Sequence, residues 1–105
     1  MSKIPVYNKA VRDNIPEIIE ESGSMCECRM LSDDEFLPYL EAKLHEELEE
    51  YDQSKSIMEL VDVIEVIYRI AGIRNVSREE FERMRLDKLS ERGGFEGNLF
   101  LVSTS

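Results

Sequence analysis

The segment from Ser56 to Gly72 constrains the fold more than any other part of the chain. A capping box at Ser56 and the glycine at 72 predict a helix that ends at about Ala71. Apolar residues cover most of the circumference of this helix: Leu60, Val61, Val63, Ile64, Val66, Ile67 and Ile70. Such a helix must be surrounded by others, and a chain of 105 residues can hardly enclose it alone. We therefore expect a homo-oligomer, either a dimer or a dimer of dimers.

Capping boxes, a first-turn proline and glycine stops predict three more helices, at about 16–22, 32–53 and 77–92. The second of these contains Pro38. This helix therefore begins either at Ser32 or, because of the proline, at about Leu37. It carries an apolar stripe of Leu37, Leu40, Leu44, Leu48 and Tyr51. Short strands are predicted at Met25–Leu31 and Asn98–Val102. The expected fold is an all-α four-helix bundle in one domain, 1–105, with minor β-strands near the termini.

The charge and the cysteines narrow the class of protein. Acidic residues outnumber basic ones by 23 to 13, which gives a net charge of −10. Such a surface repels nucleic acids and anionic membranes. No apolar run has the length of a membrane span, and Met1 to Val11 lacks the apolar core of a secretion signal, so a cytoplasmic protein is expected. Cys26 and Cys28 are interpreted as free structural thiols, because a disulfide at that spacing would be strained.

Carboxylates crowd the end of the long helix and the start of the apolar one. Glu47 and Glu50 are three residues apart and share a face, which Glu46 can join from the side of Glu50. The short connection at 53–57 makes the two helices antiparallel neighbours, which brings Glu59 and Asp62 close to these acids. Several carboxylates at a partly buried interface repel one another unless a cation lies between them. Oxygen ligands favour Mg²⁺, with Mn²⁺ as a second choice.

A structural interpretation of these acids competes with the metal site. Under it, Glu46, Glu49 and Asp52 form a solvated face, Glu59 is a helix cap, and Glu65 pairs with Arg69. Asp62 is the residue that this interpretation explains least, because it is a carboxylate within an almost entirely apolar helix. Its position therefore favours the metal site.

The acidic pattern resembles that of the all-α nucleoside triphosphate pyrophosphohydrolases, the MazG-like superfamily. The motif Glu-Glu-x-x-Glu followed by Glu-x-x-Asp reads here as Glu46, Glu47 and Glu50, then Glu59 and Asp62. The flanks 7–16 (YNKAVRDNIP) and 88–95 (KLSERGGF) are similar to the two ends of a short subgroup of phosphoribosyl-ATP pyrophosphohydrolase-like and house-cleaning enzymes. One departure is that only eight residues separate Glu50 from Glu59, which implies a tight turn.

The resemblance implies Mg²⁺-dependent hydrolysis between the α- and β-phosphates of a nucleoside triphosphate, giving a nucleoside monophosphate and pyrophosphate. It implies metal ligands at Glu47, Glu50, Glu59 and Asp62, and catalytic roles for Glu46 and Glu47, with Glu46 as the proton acceptor. Lys88 and Arg92 share a helix face and are candidates to bind phosphates, with Lys9 and Arg12 as weaker ones. Lys88 and Arg92 could instead only stabilise the carboxyl end of their helix.

House-cleaning of damaged or non-standard nucleotides is the favoured role of such an enzyme. Two alternatives stay open. One is phosphoribosyl-ATP pyrophosphohydrolase activity, which uses the same cleavage chemistry. The other is a non-catalytic helical interaction module. A catalytic triad and a P-loop are both unsupported by the sequence.

Overall fold

The computed structural model describes residues 4–105. Residues 4–14 have no regular secondary structure, as expected, and the first helix, α1, spans Ile15–Glu21. Pro16 lies in its first turn, where the missing N–H costs nothing. Gly23 follows α1 in a left-handed conformation, with a φ of 93°, which glycine adopts easily because it has no side chain.

The long helix α2 spans Asp33–Ser54 without interruption, so Pro38 does not move its start to Leu37. The capping box at Ser32 is complete: the Ser32 side chain accepts from the Glu35 N–H, and the Glu35 carboxylate accepts from the Ser32 N–H. This reciprocal pair fixes the start of the helix more firmly than the proline disturbs it.

Helix α3 spans Ile57–Ile73 and helix α4 spans Arg78–Arg92. The predicted stop at Gly72 is wrong, because this glycine is helical and Asn75, with a φ of 66°, makes the turn instead. Helix α4 agrees with its prediction, with a complete capping box at Ser77 and an end at Gly93. The all-α class is therefore confirmed.

Helices α2 and α3 pack side by side, and among the helices of residues 4–105, α4 packs only on α3. The apolar stripe of α2 forms much of this contact: Leu40 is buried, and Leu44 and Tyr51 are half-buried. Leu48, at 43% exposure, is the member of the stripe that α3 does not cover. The resulting core is thin, since within residues 4–105 no side chain is less than 2% exposed.

The two predicted strands are absent from the described residues. Neither Met25–Leu31 nor Asn98–Val102 pairs with a neighbouring segment, and a strand needs a partner to satisfy its backbone hydrogen bonds. Met30 is fully exposed and Leu99 is 96% exposed, so neither segment packs on the helices. The apolar alternation was therefore not a sufficient signal for a strand.

The fold is unusually open for its length. The radius of gyration is 18.4 Å, whereas a compact domain of about 100 residues has a value of about 13 Å. Among residues 4–105, no helix has both the length and the apolarity needed to cross a membrane.

Candidate metal centre

The connection between α2 and α3 determines which acidic residues meet. Lys55 ends α2 in a left-handed conformation, with a φ of 56°, and its N–H donates to the Tyr51 carbonyl over 2.7 Å. Ser56 then caps α3, so only two residues separate the helices. The helices are antiparallel neighbours, as predicted, and the last turns of α2 lie beside the first turns of α3.

Two groups of carboxylates converge at this junction. One carboxylate oxygen from each of Glu46, Glu47 and Glu50 lies within 4.8 Å of the other two. The same limit holds for one oxygen from each of Glu47, Glu59 and Asp62. Glu47 belongs to both groups and is their centre. The structure thus places each of the other three predicted metal ligands close to Glu47, but Glu50 does not belong to the group that contains Glu59 and Asp62.

Glu47 is the most unusual residue of the junction, because it is a carboxylate that is only 5% exposed. Lys43, one turn earlier, places its Nζ 3.3 Å from Oε1. Oε2 is buried and has no hydrogen-bond partner among the described residues. Desolvation by burial raises the pKa of Glu47, and the neighbouring Glu50 raises it further. The positive charge of Lys43 lowers this pKa but does not cancel the rise. A buried carboxylate that belongs to two acidic groups and has an unpartnered oxygen is one that a cation would satisfy.

Glu59 is available to this site because it does not cap its own helix. The Ser56 side chain accepts from the Met58 N–H, and the reciprocal bond of a capping box, from the Ser56 N–H to Glu59, is not formed; that N–H donates to Ser54 instead. The predicted capping box at Ser56 is therefore only half correct. The Glu59 carboxylate faces the Glu47 group, half-buried, rather than its own backbone.

The irregular segment before α1 supplies two positive charges to the acids. Lys9 Nζ donates to Glu46 Oε1 over 3.2 Å, and an Arg12 guanidinium nitrogen donates to Asp62 Oδ1 over 2.7 Å. Ala10, only 4% exposed, lies between these two residues in the chain and anchors the segment. The structure therefore places Lys9 and Arg12 at the edge of the acidic junction.

Glu46 differs from Glu47 in its electrostatic surroundings. Desolvation opposes its ionisation, but the hydrogen bond from Lys9 and the charges of Lys43 and Lys9 outweigh it and lower the pKa of Glu46. Lys43 Nζ lies 3.6 Å from Glu46 Oε1 and so contacts both acids. The sequence analysis missed Lys43, although its spacing of three and four residues from Glu46 and Glu47 was a sufficient signal.

The remaining predicted residues lie elsewhere. Lys88 and Arg92 are exposed on the last turns of α4, and neither forms an ion pair with a carboxylate within residues 4–105. Their role in binding phosphate stays a prediction. The alternative pairing of Glu65 with Arg69 is not formed, because Arg69 binds Asp33 at 3.0 Å. Both cysteines are free; Cys26 is half-buried, whereas Cys28 is exposed, so a structural role suits only Cys26.

Comparison with known proteins yields one partial similarity. The chain is 55% identical over 40 residues to an uncharacterized protein of Mycolicibacterium smegmatis, and this match covers 38% of the chain and 41% of that protein. The matched stretch is thus less than half of either protein. No family model matches the chain, and no solved structure matches it.

Proposed function

We propose that the chain is a Mg²⁺-dependent nucleoside triphosphate pyrophosphohydrolase of the MazG-like type. The observation that carries this proposal is Glu47, a buried carboxylate that belongs to both acidic groups and has an oxygen without a hydrogen-bond partner among the described residues. A purely solvated acidic face would leave these side chains in water, whereas Glu47 is removed from it. The resemblance of the acidic motif and of its flanks then specifies the reaction.

The donor set fits a hard divalent cation. All the candidate ligands are carboxylate oxygens, contributed by Glu47, Glu50, Glu59 and Asp62, and Mg²⁺ and Mn²⁺ favour such ligands. When bound, the ion would neutralise phosphate oxygens and lower the pKa of an attacking water. Because the two helices are packed together, the acids are positioned before any ligand arrives.

The chain's other residues have roles that follow from their positions. Glu46 lies beside Glu47 and is held ionised by Lys9 and Lys43, so it is available to accept the proton of the attacking water. Lys9 and Arg12 already contact the rim of the acidic junction, so they are available to contact a substrate's phosphates. Lys88 and Arg92 are proposed as further phosphate contacts on the basis of the resemblance.

Product analysis by ³¹P NMR tests the proposal directly. With Mg²⁺ and a panel of standard, deoxy and damaged nucleoside triphosphates, the protein should release pyrophosphate and a nucleoside monophosphate from at least one of them. Asp62→Asn should lower that turnover by about 100-fold or more, because it removes a charged ligand. Glu65→Gln is the matched control, since Glu65 is an exposed acid on the same helix and outside both acidic groups.

The remaining outcomes separate the alternatives. Turnover of phosphoribosyl-ATP alone would assign the protein to histidine synthesis. Release of orthophosphate in place of pyrophosphate would refute α,β-cleavage. The interaction module would be favoured if no nucleotide is hydrolysed and Mg²⁺ does not change the thermal unfolding.

A further inference from the structure

The connection between α1 and α2 concentrates the sulfur of the chain. Four of the seven cysteine and methionine residues fall within positions 25–30, in the order Met-Cys-Glu-Cys-Arg-Met. The other three are methionines that lie far apart, at positions 1, 58 and 84. Thiolate and thioether sulfurs are the ligands that soft metal ions prefer, and short cysteine-rich tracts are typical of metal binding. We call residues 25–30 the sulfur segment.

The backbone of the sulfur segment places three of these sulfurs on one side. Residues 24–32 contain no helix, turn or bend, and none of them has a positive φ, so this part of the chain is extended. Side chains of an extended chain alternate between its two sides. Cys26, Cys28 and Met30 therefore share one side, and Met25 lies on the other.

The spacing of the two cysteines suits a bridging ion better than a disulfide. Two residues of extended chain span about 6.6 Å, which is close to the largest Cα separation that a disulfide allows, about 6.8 Å. A metal ion makes the bridge longer, because two metal–sulfur bonds of about 2.3 Å replace one S–S bond of about 2.05 Å. The extended backbone can therefore accept an ion between the sulfurs without the strain of a disulfide.

The surroundings of Cys26 favour metal binding over thiol exchange. Its thiol donates a weak hydrogen bond to the Pro16 carbonyl over 3.8 Å, which anchors the residue on α1. Burial raises the pKa of the Cys26 thiol, and the neighbouring Cys28 thiol raises it further. Cys26 is thus protonated at neutral pH and is a poor nucleophile. A soft cation can displace this proton, because metal binding and thiol deprotonation are coupled.

The other two sulfurs on this side have no packing role. Cys28 is exposed, and Met30 is 100% exposed. No neighbouring strand pairs with the segment, so it can curve to bring Met30 towards the cysteines. An ion can therefore reach these sulfurs without any helix being displaced.

We propose that Cys26 and Cys28 bind a soft monovalent cation of the Cu(I) type, with Met30 as a weaker third ligand. Two S–H bonds break and two metal–sulfur bonds form, so up to two protons are released and no electron is transferred. This site differs from the acidic junction in its ligands, since sulfur selects soft ions and carboxylate oxygen selects hard ones. Structural zinc sites usually take four ligands, whereas this side of the segment offers three.

Competition against the Cu(I) chelator bicinchoninate tests the site in the reduced full chain without oxygen. The wild-type protein should withdraw one equivalent of Cu(I) from the coloured chelator complex. Cys26→Ser and Cys28→Ser should each weaken binding by about 100-fold or more, because even the loss of an outer-shell partner costs about 10- to 100-fold. The helical circular dichroism should stay unchanged, because the segment lies outside the helices. No withdrawal by the wild type, or equal withdrawal by the double serine variant, overturns the proposal.

The two methionines of the segment form a matched pair for the third ligand. Met25 and Met30 are 96% and 100% exposed, but they lie on opposite sides of the extended chain. Met30→Leu should weaken Cu(I) binding by about tenfold, and Met25→Leu should leave it within twofold. Equal affinities in these two variants would remove Met30 from the site.

Two other roles for the thiols predict different results. Tighter binding of Zn²⁺ than of Cu(I) would overturn the assignment to a soft monovalent ion. A disulfide between Cys26 and Cys28 that forms under mild oxidation, with no Cu(I) binding by the reduced protein, would make the pair a redox switch instead. X-ray absorption of the Cu(I)-loaded protein should show sulfur neighbours, and nitrogen or oxygen neighbours alone would contradict the site. Glu47→Gln should bind Cu(I) as the wild type does, so the result is independent of the proposed hydrolase activity.

Discussion

The two sides of α3 carry opposite mismatches between side-chain chemistry and surroundings. On the side facing α2, Glu59 and Asp62 meet Glu47, a carboxylate that has almost no contact with water. On the other side, Val61 and Ile64 are about half exposed although they are apolar. One side holds charge where there is little water, and the other presents hydrocarbon to the solvent.

This difference between the two sides of α3 indicates which kind of binding partner would stabilise each side. A charge in a desolvated site is stabilised by an opposite charge with directed coordination, and a small hard cation supplies both. An exposed apolar stripe is stabilised by any complementary apolar surface that removes it from water. A single helix can thus carry an acidic side and an apolar side, because the two sets of residues differ in helical phase.

The largest expected effect comes from Glu47→Gln. Because Glu47 belongs to both acidic groups, the variant should lower pyrophosphate release by at least about 100-fold. It should also stabilise the cation-free protein by about 1 kcal/mol, since an amide can donate to the neighbouring carboxylates where Oε2 has no partner. Turnover assays and thermal unfolding by circular dichroism measure the two effects.

Glu49→Gln is the control for that variant. Glu49 is exposed on the same helix and belongs to neither acidic group, so turnover and stability should both stay within twofold and about 0.5 kcal/mol of wild type. Equal losses of turnover in the two variants would show that the charge of α2 matters and the position of Glu47 does not.

A smaller effect is expected from Arg12→Ala. If Arg12 binds phosphate, KM for the nucleotide should rise by about tenfold, because a charge-assisted contact is lost. The apparent Mg²⁺ dissociation constant should fall several-fold, because Asp62 loses a competing cation 2.7 Å away. Stability should change by less than about 1 kcal/mol, as the pair is largely exposed.

Arg83→Ala provides the reference for this prediction, since Arg83 is exposed on α4 and forms no ion pair within residues 4–105. A purely structural role for Arg12 would leave Mg²⁺ affinity unchanged. Tighter Mg²⁺ binding without any rise in KM would place Arg12 at the metal site only, away from the substrate.

The smallest effect is a pH dependence of the cation-free protein. In the folded protein, burial raises the pKa of Glu47 above its ordinary value of 4.5, which applies to the unfolded chain. In the pH window between the unfolded-state and folded-state pKa values, the folded state therefore binds more protons than the unfolded state. Stability should therefore fall as pH rises through that window, relative to the Glu47→Gln variant. Urea titrations across the window measure the difference, and saturating Mg²⁺ should abolish it. A wild-type curve parallel to that of the variant would contradict the raised pKa.

Local signals in the sequence were sufficient to predict the helices and the acidic junction. Serine caps at 32 and 77 fix where helices begin, and helical spacing with a short connection brings Glu47 next to Asp62. These features depend on residues close in sequence or on two adjacent helices, so chain geometry decides them.

Features that depend on contacts between residues far apart in the sequence, or on which of two nearby residues makes a turn, could not be predicted from such local signals. The contact of Arg12 with Asp62 spans 50 positions, and no local pattern specifies it. The strand predicted at Asn98–Val102 failed because alternation describes a side-chain pattern and does not supply a neighbouring strand. Gly72 failed as a stop because Asn75 adopts the left-handed turn three residues later.

Direct measurement of cation binding tests the central claim, that carboxylates from α2 and α3 hold a divalent ion. Mn²⁺ should be titrated by calorimetry into the wild-type protein, Glu47→Gln and Glu49→Gln in the absence of nucleotide. The account predicts saturable binding to wild type and Glu49→Gln, with affinity at least about 100-fold weaker in Glu47→Gln. Equal affinity in all three proteins, or no saturable binding to any, would contradict it.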